Sequence, residues 1–373
     1  MENKRWDLLA LSSIPLIMTL GNSMLIPILP LISKELGVGP FQVSMLITVF
    51  AIVAIVLIPI AGYLSDRFGR KAVIVPSLII SAIGGTVSGV AAWLADGLTA
   101  YWFILAGRLL QGIGASGAFP IVIPLVGDMF EDEEEVSKSL GIIETSNTFG
   151  KVLSPILGAF LASLLWYLPF LSIPVLCLIS LLLVLFWVKA PKNKHNKNSH
   201  SIHCFLIDTK SLLKEEGRWL YAIFAVGGIN MFILFSILFY LSEELESKYH
   251  LNGVTKGLVL AIPLAVLCTA SFIGGKIIGK SKQRMKWTGF MGMALLTLCL
   301  ILTGLSSQIT YIIVLMSLCG AGIGCALPCM DSLITEGIEK NQRGTITSLY
   351  SSMRFVGVSL CSRITRETRS QTR

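Results

Sequence analysis

Ionisable side chains lie inside long apolar runs of this chain, where they could exchange a proton or hold a charged ligand. Glu144 and Lys151 share one such run. On a helix with 3.6 residues per turn, they lie within about 20° of each other around the axis and ~10 Å apart along it. Asn147 falls between them on nearly the same face. Glu144 is therefore the best-placed carboxylate to take up and release a proton.

Lys151 lies near the middle of its apolar run. Its side chain is too short to reach water across ~15 Å of half-bilayer, so it must meet an acid, a water-filled cavity or a ligand. Two interpretations stay open. In the first, Glu144 exchanges its proton for cargo, and Lys151 sets the charge balance or meets an anionic group. In the second, both residues belong to a fixed charge network that holds neighbouring helices together.

Arg108 and Gln111 form a second polar group inside an apolar run. A cation in hydrocarbon costs ~2.5–3.5 kcal/mol on insertion scales, so Arg108 needs a cavity or a partner. Arg108 would serve in proton relay or in helix positioning, or it would be a purely structural arginine that binds backbone carbonyls. Asn22 and Asn230 lie in two further runs, where they would contact a substrate or bond one helix to another.

Membrane-spanning helices must position these residues. Apolar residues make up 54% of the chain and charged residues 14%, and the mean hydropathy is +0.76. A span needs ~20 apolar residues, and its backbone groups must be satisfied internally, which favours helices over strands. We predict an all-α membrane protein with about eleven spans, near 8–32, 42–64, 72–95, 101–127, 139–164, 166–188, 219–242, 255–279, 287–305 and 308–334, and from 344 onward.

The net charge of +8 resides in alternate loops, chiefly those after spans 2, 6 and 8. By the positive-inside rule this distribution places the N-terminus and these loops in the cytoplasm, and we expect a multi-pass protein of the cell membrane. The positive charge is explained by topology, so no nucleic-acid partner is expected. The lipid bilayer is the expected partner.

The longest polar segment, 189–218, reads as a cytoplasmic linker between an N-terminal six-helix bundle, 1–188, and a C-terminal bundle, 219–373. Gly112-Ile-Gly114 recurs as Gly322-Ile-Gly324, which is consistent with two repeats around a central cavity. His195, His200, His203 and Cys204 lie in the linker, where we expect no metal site. The chain has no P-loop and no catalytic constellation, so neither an enzyme nor a cofactor is expected.

Three segments resemble signatures of the major facilitator superfamily. Gly62-Tyr-Leu-Ser-Asp66-Arg67-Phe-Gly69-Arg70-Lys71 is similar to the signature of loop 2–3, and Arg108-Leu-Leu-Gln111-Gly112-Ile-Gly114-Ala115-Ser116 to that of span 4. Gly150-Lys-Val-Leu-Ser154-Pro155-Ile-Leu-Gly158-Ala159 resembles the span-5 signature of drug:proton antiporters, with Ser154 and Ala159 in place of glycines. The resemblance implies a kinkable, closely packing helix at Gly150, Ser154, Pro155 and Gly158.

The resemblance also implies a conformational latch. Asp66 would cap the start of span 11, and Arg70 would pair with an acid at the inner end of span 4, a place that Asp128 occupies here. Gly62 and Gly69 would permit close approach and a tight turn. Lys71 is the remaining residue of the predicted latch. The alternative is that these charged residues are simple topological anchors.

The chain departs from the family pattern after Gly357, where Cys361-Ser-Arg363-Ile-Thr-Arg366-Glu-Thr-Arg369 replaces a spanning sequence. We interpret the second bundle as incomplete, in a truncated or frame-shifted protein or in a genuine short variant. The resemblance implies a monomeric, proton-coupled exporter of drugs or a siderophore-like metabolite, working by alternating access. The alternative is a truncated, transport-inactive remnant of such an exporter.

Overall fold

The computed structural model describes residues 2–130, 132–188, 217–251, 253–278, 281–306, 308–338 and 340–371. The predicted linker lies outside this part of the chain except for its last two residues, which begin a helix. The regular structure of the described residues is entirely helical. A 3₁₀ turn (Ile26–Ile28) separates the first two of its α-helices, which are α1 (Glu2–Ser23), α2 (Leu29–Leu36), α3 (Pro40–Phe68), α4 (Arg70–Leu94), α5 (Gly97–Met129), α6 (Glu133–Leu164), α7 (Leu168–Trp187), α8 (Gly217–Ser247), α9 (Gly253–Ile278), α10 (Lys282–Thr303), α11 (Ile309–Gly337) and α12 (Lys340–Gln371).

The predicted spans match these helices, with two differences. The first span is interrupted at the 3₁₀ turn, because Pro27 and Pro30 lack the N–H groups that a continuous helix would need. The second difference is in number: about eleven spans were predicted, whereas nine helical segments of the described residues are long and apolar enough to cross a membrane. α6 and α12 are not among the nine, although each is 32 residues long, because they carry more polar residues.

α12 also continues further than the sequence suggested. Its backbone stays helical through Gln371, whereas we expected the eleventh span to lack its end. No glycine or proline follows Gly357 within the helix, so nothing in the local sequence interrupts it.

The helices pack in two groups, α1–α7 and α8–α12, each around its own apolar cores. The groups meet along two helix pairs, α6 with α9 and α3 with α12. Small residues permit the close approach. A Cβ at Gly141 would lie 2.6 Å from the Cα of Gly275, and a Cβ at Gly257 would lie 2.7 Å from the backbone oxygen of Pro155.

The long helices run between two ends of the molecule. The Asp66 end is where α3 turns into α4 at Gly69 and where α12 begins; the opposite Ala95 end is where α4 passes into α5. Gly69 has a φ of 100°, a conformation that side-chain-bearing residues rarely adopt. The turn therefore needs the glycine that the sequence supplies.

Candidate functional site

A carboxylate of the first group binds the start of α12 at the Asp66 end. Asp66 Oδ2 accepts hydrogen bonds from the Thr345 backbone N–H at 3.1 Å and from its hydroxyl at 2.9 Å. Thr345 is the sixth residue of α12, so the carboxylate lies close to the start of this helix, near the positive end of its dipole. The contact implied by the family resemblance is thus present, while its role in gating stays a prediction.

Arg70 links Asp66 to a second acid of the same group. It pairs with Asp66, its Nη1 donates to Ser65 Oγ at 2.8 Å, and its Nε donates to Asp128 Oδ2 at 2.9 Å. The other oxygen of Asp128 lies 3.3 Å from Arg343 Nη1 on α12. Asp128 therefore also contacts the second group, through a residue that the sequence reasoning missed.

Gly62 allows the two groups to approach at this end. A Cβ at this position would lie 2.8 Å from the backbone oxygen of Gly344. Lys71 lies elsewhere than the predicted latch, because its Nζ donates to the backbone oxygens of Leu185 and Val188, at 3.2 and 2.8 Å, where α7 ends. Its position one residue into α4 directs it toward its own helix group.

Arg108 is fully buried and ties three helices together. Its Nε donates to the backbone oxygen of Leu46 at 3.0 Å, its Nη2 to Asn22 Oδ1 at 2.5 Å, and its Nη1 to Gln111 Oε1 at 2.5 Å. The guanidinium also lies 4.5 Å from the ring centroid of Phe50. These contacts favour the structural interpretation of Arg108 and of Asn22.

Glu144 is fully buried and forms an ion pair across the two groups. Its Oε1 accepts from Arg354 Nη2 at 2.8 Å and its Oε2 from Arg354 Nη1 at 3.3 Å, a two-bond geometry that arginine favours with carboxylates. Asn147 Nδ2 also donates to Glu144 Oε1, at 2.9 Å, and Thr19 Oγ1 bonds to Asn147. The carboxylate of α6 is thus held by a cation of α12.

A second buried carboxylate, Asp331 of α11, lies against the same arginine. Its Oδ1 is 3.6 Å from Arg354 Nη1. We call Glu144, Lys151, Asp331 and Arg354 the central charge cluster. The sequence reasoning missed Asp331 and Arg354, although both are ionisable residues in predicted spans. The same property had singled out Glu144.

Lys151 lines a cleft between the two groups. Its side chain is 6% exposed, and its Nζ lies 3.9 Å from Met231 Sδ. The wall residues of the cleft lie toward the Ala95 end of their helices. They are Ser23, Ile26, Pro27, Lys151, Ser154, Pro155, Phe235, Leu238, Phe239, Ser242, Leu260 and Leu264.

The remaining predicted site residues divide between the cleft and the packing of α6. Ser154 and Pro155 line the cleft, whereas Gly150 and Gly158 bring α6 against α1, since a Cβ at Gly150 would lie 2.7 Å from the backbone oxygen of Leu16. Asn230 is fully buried but is not among the described residues that line the cleft. Neither polar atom of its amide has a hydrogen-bond partner in the described part of the chain.

Comparison with known proteins gives consistent results. The family model described as Major Facilitator Superfamily matches residues 11–362. The "Bacillibactin exporter" of Bacillus subtilis (strain 168) is 55% identical over 355 residues, which are 95% of this chain and 87% of the relative. The "Tetracycline resistance protein, class B" of Escherichia coli is 25% identical, over 91% of this chain and 82% of that protein.

Among solved structures, the human organic anion transporter MFSD10 (TETRAN) matches with a TM-score of 0.80 at 17% identity, covering 96% of this chain and 92% of its own. The proton:xylose symporter XylE matches with a TM-score of 0.77 at 15% identity, and the match covers 98% of this chain and 89% of the symporter chain. At these identities the likeness shows the fold alone.

These comparisons do not support the interpretation of the chain as a truncated, inactive remnant. The contacts of α12 argue in the same direction, because Thr345 and Arg354 of this helix bind Asp66 and Glu144 of the other group. The matched family consists of transporters, which are not enzymes. The chain is a membrane transporter with an all-helical fold, and it belongs to the Major Facilitator Superfamily.

Proposed function

We propose that this protein exports small molecules from the cell in exchange for protons, by alternating access to the cleft. A siderophore-like metabolite is the favoured cargo, because the 55% identical relative is named as a bacillibactin exporter. Drugs are the second candidate, since more distant relatives are named as tetracycline and multidrug resistance proteins. The observation that carries the proposal is the buried ion pair between Glu144 and Arg354, which joins the two helix groups about two turns along α6 from the cleft residue Lys151.

Glu144 is the proposed proton site. The charged and titratable groups that face it are Arg354 and Tyr350 from α12, Asp331 from α11, Cys268 from α9, and Lys151 from its own helix. Protonation removes the negative charge that holds Arg354 and so weakens the contact between the groups. Loss of one partner from a buried pair typically costs 3–5 kcal/mol, enough to shift an equilibrium between two transporter states.

The Asp66 end is the proposed cytoplasmic gate, and its polar contacts are the proposed latch. Besides Asp66 with Thr345 and Asp128 with Arg343, Ser137 Oγ of α6 donates to Glu336 Oε1 of α11 at 2.6 Å. If the Asp66 end faces the cytoplasm, as we propose, this arrangement with the Asp66 end held together and the cleft toward the Ala95 end is an outward-facing state. We propose that the N-terminus lies in the cytoplasm, that the protein resides in the cell membrane and that the monomer is the working unit.

The proposal is tested by transport in proteoliposomes with Glu144→Gln, which preserves shape and removes the titratable group. Wild-type protein should move bacillibactin against its gradient when a pH gradient is imposed. The variant should lose this uphill movement but still exchange bacillibactin across the membrane without a pH gradient, because the cleft is unchanged. Lys138→Gln is the control, since Lys138 is exposed on the same helix and pairs with Glu134; it should behave as wild type. Uphill transport by Glu144→Gln would rule out this proton site.

A further inference from the structure

Lys151 is a buried cation whose charge is not balanced by a direct ion pair within the described residues. Both buried carboxylates of the central charge cluster, Glu144 and Asp331, lie within ion-pair distance of Arg354 instead. The Lys151 ammonium contacts a thioether sulfur, Met231 Sδ, at 3.9 Å. A thioether is a weak acceptor and carries no charge. Burying an ammonium in this way is costly unless an anion completes the site.

The cleft around Lys151 has the chemistry of a site for an amphipathic molecule. Its walls are mainly apolar, with the aromatic side chains of Phe235 and Phe239 contributed by α8. Three hydroxyls, from Ser23, Ser154 and Ser242, add hydrogen-bonding groups. Lys151 is the charged residue among the described lining residues.

We propose that this cleft selects organic anions, with Lys151 as the residue that pairs with the anionic oxygen of the cargo. The inference rests on the proposed function in treating the cleft as the cargo site, and it adds the charge class of the cargo. An ammonium and a carboxylate or phenolate form a short, charge-assisted hydrogen bond that is strengthened where water is excluded. The aromatic and aliphatic walls take the apolar body of the same molecule. Cationic amphipaths are rejected, because they would meet a like charge without compensation.

The test measures binding to the purified full-length protein in detergent, at one pH and without a gradient. Three probes share a naphthalene body and differ in charge: 2-naphthoate, the neutral 2-naphthamide and 2-naphthylmethylammonium. Wild-type protein should bind the carboxylate at least ~10-fold more tightly than the amide, which corresponds to about 1.4 kcal/mol. The ammonium compound should bind more weakly than the amide.

Substitution of the lysine should remove the discrimination while leaving apolar binding in place. In Lys151→Gln and Lys151→Met the carboxylate and the amide should bind within about twofold of each other, a difference of about 0.4 kcal/mol. Lys151→Arg should keep the preference because the charge remains. Lys138→Gln should keep it as well, because Lys138 is an exposed cation of the same helix, paired with Glu134.

Two results would overturn the inference: equal binding of carboxylate and amide by the wild type, or a preserved preference in a folded neutral variant. If neither neutral variant folds, the ranking of the three probes on wild-type protein still decides. Failure of the proposed function is a separate result. Charge discrimination without any transport driven by a pH gradient would support the anion site and reject proton-coupled export. Gradient-driven transport with no charge discrimination would support proton-coupled export and reject the anion site.

Discussion

Arg354 holds two buried carboxylates, one from each helix group, and this makes it the residue on which the central charge cluster depends. Its guanidinium also lies 5.7 Å from the ring centroid of Tyr350, one turn earlier on the same helix. The sequence identified Glu144 because a carboxylate in an apolar run is conspicuous. It could not identify the partner, because Glu144 and Arg354 are brought together only by the packing of the two groups.

Removing Arg354 should therefore be more harmful than removing the whole pair. Arg354→Gln removes the direct ion-pair partner of both Glu144 and Asp331 and should destabilise the protein by about 3–5 kcal/mol. The double variant Glu144→Gln with Arg354→Gln should recover a substantial part of this loss, because one of the two uncompensated carboxylates is gone. Thermal unfolding of the two single variants and the double variant in detergent measures the coupling. Additive effects in the double variant would contradict a direct, energetically important ion pair.

At the scale of helices, apolar runs were sufficient to predict nearly every span, since each needs about the same length of hydrophobic sequence. The break at Ile26–Ile28 was missed because the hydrophobic run continues through it and only its prolines mark the interruption. The helical continuation of α12 was missed because a polar sequence was taken as the end of a span. The contact of α3 with α12 followed from the family resemblance. The tight approach at Gly62 could not be predicted in the same way, because it depends on how the two helices pack.

The α3–α12 contact gives a prediction at the same scale. Gly62→Ala adds a methyl group 2.8 Å from the backbone oxygen of Gly344, where a rigid backbone cannot yield cheaply. The start of α12 should move away from α3 and weaken the hydrogen bonds between Thr345 and Asp66. We expect transport of the proposed cargo to fall at least about tenfold, as about 1.4 kcal/mol of lost gate stability would produce.

Gly304→Ala is the matched control for this change. The atom recorded nearest to a Cβ at Gly304 is the Ile301 backbone oxygen at 3.8 Å, an ordinary contact distance. This variant should transport at the wild-type rate in the same proteoliposome assay. Normal transport by Gly62→Ala, with both proteins folded, would show that the close approach is not needed for the transport cycle.

At the scale of the whole molecule, two features lie at different depths between the helix groups: the polar contacts at the Asp66 end and the cleft toward the Ala95 end. The Glu144–Arg354 pair joins the groups about two turns along α6 from the cleft residue Lys151, so a change in its charge can alter how the groups meet. Coupling of this kind needs a structural element that has two arrangements. Both the proton and the cargo must shift the equilibrium between these arrangements. The family resemblance indicated such a rocking motion, but the residues that would couple it to protonation became visible only from packing.

The most direct measurement of this coupling is the distance across the Asp66 end as a function of pH. Spin labels at Lys138→Cys on α6 and Lys282→Cys on α10 lie at this end in different helix groups, and the eight native cysteines are replaced beforehand. In the protein with Glu144 intact, lowering the pH should protonate the carboxylate, release Arg354 and shift the population toward longer distances; with Glu144→Gln the long distances should dominate at every pH. A distance distribution that does not change with pH, or short distances that persist in Glu144→Gln, would contradict the account.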